Sequence, residues 1–534
     1  MEDVVAAMAQ DKVCKRGSDG GQSNTSTAES STVVVGKATS TESETQAYDR
    51  WRMVHNIMVD YISEMKLQHP DLCRSVPAYR ILARLGNVLR GSRVGDTCCA
   101  YSTPTCRIRR FVSHSWHAAA WLKILSLLLF YNLKAAAIAS QAAAFLMMVL
   151  FSLGKLPGFV KVVRYDPEPL FLAPWSSSTG ILVFLAVLVF RRPKEQVFLD
   201  RLCIDQRDPA AKAQGVVSLG GVLKNSEELL VIWDRSYCER LWCNFELAAF
   251  LKAHEDEETV KVRVQPISLA ILCITCFGFN VALCFGSITF PQTGSLSFVI
   301  AMLGVCIYGW MAGTAVMHHG ENVETMQGQL QSFSAADTKC YCCSKGHHAL
   351  DGSPTPCDRE ILLQCIQLWF GSIAEFEMSM KDHVRGSLAH HLGGMCYPYG
   401  WMIASHLPAF WLQMDFAAGE WNKDKVVSGL GYFLTGVYGL FVVCPLWISS
   451  IYLCVRWSSG CHPVLRKLFA TAFAAGLALA IQISLIVFVD MYPDTPILGI
   501  ALWAGVLLVP SLVLWWRAAC KRLATQVIGC CRVV

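Results

Sequence analysis

Along this chain, apolar runs of about twenty residues, the length needed to cross hydrocarbon, alternate with shorter stretches of mixed pattern. The runs predict eight membrane spans: Ala135–Leu153, Leu170–Phe190, Ile267–Phe285, Leu296–Val316, Met395–Met414, Leu430–Val455, Phe469–Val489 and Ile497–Trp516. The Met395–Met414 segment carries Pro398, His406 and Pro408, and a re-entrant or interfacial helix suits it equally well. The shorter stretches read differently. Arg107–Trp116, Val197–Asp200, Glu228–Trp233 and the alternating Val260–Pro266 have the length and composition of strands, whereas Ala210–Lys224 and Arg240–His254 have helical character. Strands alternating with helices imply parallel pairing through right-handed crossovers. In such sheets ligands bind beyond the carboxyl ends of the strands, here Ser113–Trp116, Arg201–Asp208 and Asp234–Tyr237. The expected architecture is an α/β domain with a parallel sheet, interrupted by membrane hairpins and joined to an α-helical transmembrane bundle.

Composition agrees with a membrane protein. Hydrophobic residues make up 53% of the 534 positions and charged residues 16%, against about 25% charged in a typical soluble domain. Lys and Arg excess marks cytosolic loops. Arg191, Arg192 and Lys194 follow the second predicted span, Arg456, Arg466 and Lys467 lie between the sixth and seventh, and Arg517, Lys521 and Arg522 follow the last. Ser287–Ser295 is uncharged and Asp490–Pro496 has only acids. Both termini are therefore expected in the cytosol, although Lys155, Lys161 and Arg164 would then face outward. The predicted divisions are a disordered tail over 1–46, a cytosolic helical segment over 47–106, an α/β domain formed by 107–117 and 194–266, and an inserted pair of spans over 118–193. A second hairpin over 267–317, a cytosolic Cys/His-containing loop and amphipathic helix over 318–394, C-terminal spans over 395–516 and a cytosolic tail over 517–534 complete the chain.

The Ser-, Thr- and Gly-rich start lacks the apolar core of a signal peptide. The 24 cysteines lack the spacing of a secreted disulfide framework, so reduced thiols are expected. Cys530 and Cys531 suit S-acylation and equally suit unmodified thiols. A net charge of +5, without a basic stripe interleaved with aromatics, gives no sign of nucleic-acid binding. The expected partners are the lipid bilayer and further copies of the chain.

Three stretches resemble a known family. Phe111-Val112-Ser113-His114-Ser115-Trp116, then Phe198 through Gln206 (Phe-Leu-Asp-Arg-Leu-Cys-Ile-Asp-Gln), then Trp233 through Leu247 are similar to a Toll/interleukin-1 receptor homology (TIR) domain. The likeness is to the divergent form with Ser-His-Ser-Trp and Cys-Ile-Asp-Gln motifs found in multi-pass proteins of algae and other protists. Its most specific part, Tyr237–Leu247, resembles the Ser-x-Trp-Cys-x-x-Glu-Leu stretch of plant TIR domains. About a quarter of the chain is covered. Two departures stand out: Ala118–Phe190, with two predicted spans, separates the first strand from the second, and Ile267 opens a span directly after the fourth. Leu330–Cys343 and Asp358–His383 are candidates to complete the domain.

The resemblance implies a TIR-like, flavodoxin-like α/β fold with a parallel sheet, and a chemistry. In TIR enzymes a Glu on the helix after the third strand cleaves the nicotinamide–ribose bond of NAD⁺, and the matching residue is Glu246. A carboxylate beside the ribose stabilises an oxocarbenium-like transition state, and the cationic nicotinamide leaves without a strong general acid. NAD⁺ would be the substrate, and no bound cofactor is implied. The same correspondence puts Ser113, His114 and Trp116 on one wall of the cleft and the loop Arg201–Asp208, the family's BB loop, on the other. Asp205 lies in that loop, Arg207 would meet phosphate, and Trp242 would pack near the base or brace its helix.

Plainer roles stand beside these. Glu246 also suits a salt-bridged helix residue, His114 a strand-end hydrogen bond, Trp242 and Cys243 the core, and Asp200 and Asp205 loop caps. Three readings of function follow: a membrane-tethered signalling protein with NAD⁺-hydrolysing capacity, a non-catalytic self-association module, and a channel or transporter gated by its cytosolic domain. Transport is disfavoured because charged residues are nearly absent from the predicted spans, where Asn280, His406 and Gln482 read as isolated polar residues. Cys340, Cys342, Cys343, His347, His348 and Cys357 supply enough soft ligands for a zinc ion. Their spacing lacks paired Cys-x-x-Cys knuckles, so reduced cysteines packing a loop are expected and no metal site is assigned.

Overall fold

A computed structural model describes residues 44–90, 101–161, 170–257, 260–289, 295–347, 357–392, 397–460, 462–491 and 497–513. Cys530, Cys531 and nearly all of the predicted N-terminal tail lie outside these residues. The chain divides into two compact units. Of the described residues, those up to 121 combine with those in 194–264 and 328–385 in one unit, and those in 122–193, 265–327 and from 386 onward form the other.

The first unit is built on a small mixed sheet. Its strands are β1 (Arg74–Pro77), β2 (Thr103–Pro104), β3 (Arg110–His114), β6 (Gln196–Phe198), β7 (Leu229–Trp233) and β8 (Val262–Pro266), in the order β2-β1-β6-β3-β7-β8. β3 runs parallel to both β6 and β7. Every side chain of Leu229–Trp233 is buried, as expected of a central strand covered on both faces. Phe111 stacks on Phe198 across the β3–β6 pair, with ring centroids 4.8 Å apart. Arg110 pairs with Glu195 and, at 2.6 Å, with Glu228, anchoring the start of β3 to both neighbours.

The sequence pattern assigned 47–106 to helix. Helices do occupy Glu44–Ser63 and Tyr79–Gly86, but β1 and β2 lie between and after them. β1 joins β6 antiparallel and carries the edge strand β2 on its other side. Its pattern is too short to show alternation, and its place depends on a partner far along the chain: Ser75 donates to Gln196 Oε1 at 2.9 Å. The predicted helix Ala210–Lys224 divides into Pro209–Val217 and Leu219–Lys224. At Gly221 a Cβ atom would lie 2.8 Å from the backbone nitrogen of Leu67, so glycine permits the close approach there. Residues 328–385 belong to the same unit, chiefly as the helices Asp358–Phe370 and Ile373–Leu392. Lys339 makes a single parallel bridge to Arg240. Trp369 packs 5.4 Å from Phe245 and donates to the Ser63 carbonyl at 2.9 Å, joining three helices of the unit.

The second unit is helical. Eight spans were expected, whereas five helices among the described residues are long and apolar enough to cross a membrane: Ala120–Ser152, Ile267–Thr289, Val299–Gln331, Val426–Trp457 and Pro463–Phe488. Trp175–Phe190 and Ile497–Val513 are shorter apolar helices. The predicted second span shortens because Leu170–Leu172 is β5, paired antiparallel with β4 (Phe159–Lys161). The weak Met395 segment becomes Tyr399–Asn422, a helix that buries His406, Asp415 and Glu420 and lies outside the group of five.

Polar residues that looked isolated in the sequence are joined. Asn280 donates to the Cys276 carbonyl at 2.8 Å and reaches Tyr308 Oη at 3.3 Å. Tyr308 Oη lies 2.8 Å from His406 Nε2, and Ser405 Oγ lies 3.0 Å from His406 Nδ1. A π-helical turn, Gly439–Val443, interrupts Val426–Trp457. Pro445 follows it and has no N–H to give the preceding turn. The Tyr399 hydroxyl donates to the Phe441 carbonyl of the π-helical turn at 2.8 Å, a side-chain bond that suits an apolar environment.

Candidate functional site

Because β6, β3 and β7 are parallel, their carboxyl ends lie along one edge of the sheet. That edge presents Ser113 to Trp116 from β3, Asp200 from beyond β6 and Asp234 from beyond β7. The chain turns after β7 and starts the helix Leu241–Ala253. Its second turn brings Glu246 against β3, where Ser113 Oγ donates to Glu246 Oε2 at 2.5 Å. Ser113 is itself buried, and its Oγ lies 2.8 Å from the hydroxyl of the fully buried Tyr237. The Tyr237 hydroxyl also lies 3.3 Å from the Cys243 carbonyl, on the Glu246 helix. Strand, turn and helix are thereby tied at one point.

Glu246 keeps some accessible surface, yet it sits deep enough in protein for desolvation to dominate its chemistry. Burial pushes its carboxyl up from 4.5 to about 8; the Ser113 hydrogen bond opposes this, the nearby Asp200 charge adds to it, and the Arg240 charge opposes it. Asp200 accepts from Trp116 Nε1 at 3.2 Å and from the backbone N–H of Arg201 at 2.6 Å. The Arg201 guanidinium lies 5.3 Å over the Trp116 ring, while the His114 ring meets Trp116 edge-on at 4.5 Å. Arg240 Nη1 lies 3.2 Å from His117 Nδ1. The arrangement is a proton-holding carboxyl beside a second carboxylate, flanked by an indole and two guanidinium groups.

The residues singled out in the sequence occupy different places. Ser113 touches Glu246 directly, and Trp116 reaches the site through Asp200. His114 is buried, and its carbonyl receives the Cys243 thiol at 3.6 Å. Trp242 pairs with a different carboxylate, its Nε1 3.4 Å from Asp358 Oδ2 and its ring 5.6 Å from Phe245, which makes it a brace for the helix. The loop after β6 is partly helical, with a turn over Asp200–Cys203. Beyond it, Asp205 accepts from the Arg207 backbone N–H at 2.9 Å, and the two side chains pair at 3.4 Å. That backbone hydrogen bond, first of several effects, holds the Asp205 carboxyl below its ordinary value. Gln206, Arg207 and Asp208 are exposed.

From sequence, Arg240 had no part in the site, Asp200 read as a loop cap, and Tyr237 was only the last residue of a strand end. Tyr237 and Arg240 border the motif that carries Glu246, but only the packed sheet edge shows that a phenol reaches Ser113. Away from this edge, Cys342, Cys343, His347 and Cys357 bring metal-ligating atoms within 4.8 Å of one another. Among the membrane-type helices, a cavity of about 140 Å³ is lined by His406, Gln413, Thr435, Gln482 and apolar neighbours, including residues of the π-helical turn. Compared with protein-family models, curated proteins and solved structures, the chain matches none.

Proposed function

We propose that this is a multi-pass membrane signalling protein whose sheet-bearing unit is a TIR-like module that hydrolyses NAD⁺ at the nicotinamide–ribose bond. The single observation that carries the reading is the 2.5 Å hydrogen bond from Ser113 to Glu246 at the carboxyl edge of parallel strands. The order β6-β3-β7-β8 supports it, since a doubly wound sheet has its second strand beside the first and its third on the other side. Both termini lie in the cytosol in this reading, as the Lys/Arg distribution suggests.

In the reaction, the C1′–N bond to nicotinamide breaks and the electron pair leaves with the now neutral base. Water adds at C1′ and releases a proton, giving ADP-ribose. Glu246 must be ionised to stabilise positive charge at C1′. Its carboxyl holds a proton up to about pH 8 in the free protein, and the cationic nicotinamide of a bound NAD⁺ would favour proton loss. Ser113 then holds the carboxylate in place, and Trp116, fixed through Asp200, offers a flat surface beside it.

The test is nicotinamide release by the purified full-length protein in nanodiscs, wild type beside Glu246→Ala and Glu246→Gln, with folding checked for each. Release by the wild type and loss in both variants supports hydrolysis at Glu246. Absence of release by wild type at high surface density refutes it. A second reading, self-association without catalysis, is favoured by the exposed Gln206–Asp208 loop tip. It predicts clustering that Arg207→Glu abolishes and Glu246→Ala leaves intact.

A further inference from the structure

The turn before the helix Asp358–Phe370 collects four soft ligands. Cys342 and Cys343 belong to a single helical turn, Tyr341–Ser344, and Cys357 sits at the N-cap of Asp358–Phe370. His347 completes the group, and all four ligand atoms lie within 4.8 Å of one another. We propose that Cys342, Cys343, His347 and Cys357 bind one zinc ion in a structural site of three thiolates and one imidazole.

The sulfur separations fit such a centre. A tetrahedral zinc with Zn–S bonds of about 2.3 Å requires its thiolates about 3.8 Å apart. Cys342 and Cys343 have their sulfurs 3.9 Å apart, and Cys343 and Cys357 have theirs 3.7 Å apart. Cys340 is the near miss: its sulfur lies 3.2 Å from that of Cys342, too close for two ligands on one tetrahedron. Cys340 is buried, whereas the four ligands are partly or fully exposed, with His347 outermost. A path for metal entry is therefore open.

The backbone supplies an independent observation. Gly346 and His347 both have left-handed φ, 64° and 60°. For glycine this is free, but for a residue with a side chain it is unfavourable. The backbone N–H of His347 donates to the Cys342 carbonyl at 3.0 Å, closing the turn over the thiols. Strain of this kind persists where something over-determines it, and a bond from the imidazole to a metal does so. Three sulfurs with one nitrogen match the Cys₃His class of structural zinc site, which is closed to water and contributes directly to folding.

The ion would act on the neighbouring edge through Asp358. That residue follows Cys357, and its carboxylate faces Trp242 Nε1 at 3.4 Å. Trp369, on the same helix, packs against Phe245. Zinc would thus hold the support on which the Glu246 helix rests, whatever reaction that helix serves.

Metal content decides the matter. Full-length protein in nanodiscs, prepared under reducing conditions with zinc and then exchanged against a weak chelator, is expected to retain about one zinc per chain by mass spectrometry. Cys343→Ser and Cys357→Ser should lose it, whereas Cys340→Ser should keep it. Should the variants fail to fold, cobalt exchanged into the wild type should give thiolate-to-metal charge transfer and the visible bands of a tetrahedral site. Wild-type protein without retained zinc, iron in its place, a Cys343–Cys357 disulfide under reducing conditions, or zinc retained equally in all variants would overturn the proposal.

Discussion

Removing the Ser113 hydroxyl should raise the titration midpoint of Glu246. In the folded protein the carboxyl titrates at about 8 because it is desolvated, and the Ser113 hydrogen bond is the largest effect opposing that shift. The bond is short, at 2.5 Å, and the serine is buried, so water cannot readily replace it. A hydrogen bond to an ionised group is worth about 1.5–3 kcal/mol, and one pKa unit corresponds to about 1.4 kcal/mol. Ser113→Ala should therefore move the midpoint upward by about one to two units. Asp200→Asn removes a negative charge that raises the midpoint, so it should move it down, and by less, because that influence ranks below the Ser113 bond. The assay is an infrared titration of the protonated-carboxyl stretch in nanodiscs, with Glu246→Gln subtracted as the blank, so it needs no substrate. If nicotinamide release occurs, kcat/KM should rise with pH through the same midpoint. A wild-type midpoint near the ordinary 4.5, or shifts of the same sign in the two variants, would refute the account of the site.

The same carboxyl links stability to pH. Its folded midpoint is raised, so the native state keeps a proton that the unfolded chain has lost between about 4.5 and 8; its contribution to stability therefore falls as pH rises through that window, by up to about 1.4 kcal/mol per unit, and levels off above it. Glu246→Gln should gain on wild type steadily from pH 5 to 8 in denaturant unfolding, and an offset that does not change with pH would count against this. In the helical unit, Asp415 caps the helix Trp175–Phe190 from outside: it accepts from the backbone N–H of Ser176 at 2.7 Å and of Ser177 at 3.0 Å, and from Ser177 Oγ at 2.5 Å. The N-cap residue itself is Pro174, which makes no side-chain cap. Asp415→Ala leaves two buried N–H groups unsatisfied, at about 1–3 kcal/mol each, so thermal melting should fall clearly below that of Asp415→Asn; equal melting of the two would remove the capping role.

Much of the local structure was legible in the chain because it depends on local pattern. The all-apolar run Leu229–Trp233, the helix Leu241–Ala253 and the long apolar helices follow from periodicity, length and composition. Their order also implied a parallel sheet with its functional edge at Ser113–Trp116, and Ser113 and Glu246 do meet there. What periodicity does not carry is the choice of distant partner. β1 pairs with β6 across more than a hundred residues. Trp242 finds its partner in Asp358, more than a hundred residues on, and Tyr237 spends its buried hydroxyl on Ser113. Five of the eight expected spans have a helix long and apolar enough to cross a membrane; the second falls short for a related reason, since an apolar run does not reveal that its first residues pair as a strand, as Leu170–Leu172 do. The thiol cluster lies between the two cases. Its four residues were named from the sequence, but their spacing is unfamiliar, and only the folded chain, with two successive left-handed residues and a helix N-terminus, gathers them. Sequence by itself determined which segments bury apolar surface and with what period; only the tertiary structure decided which polar groups share a burial site, because each such group needs a partner that the chain supplies from far away.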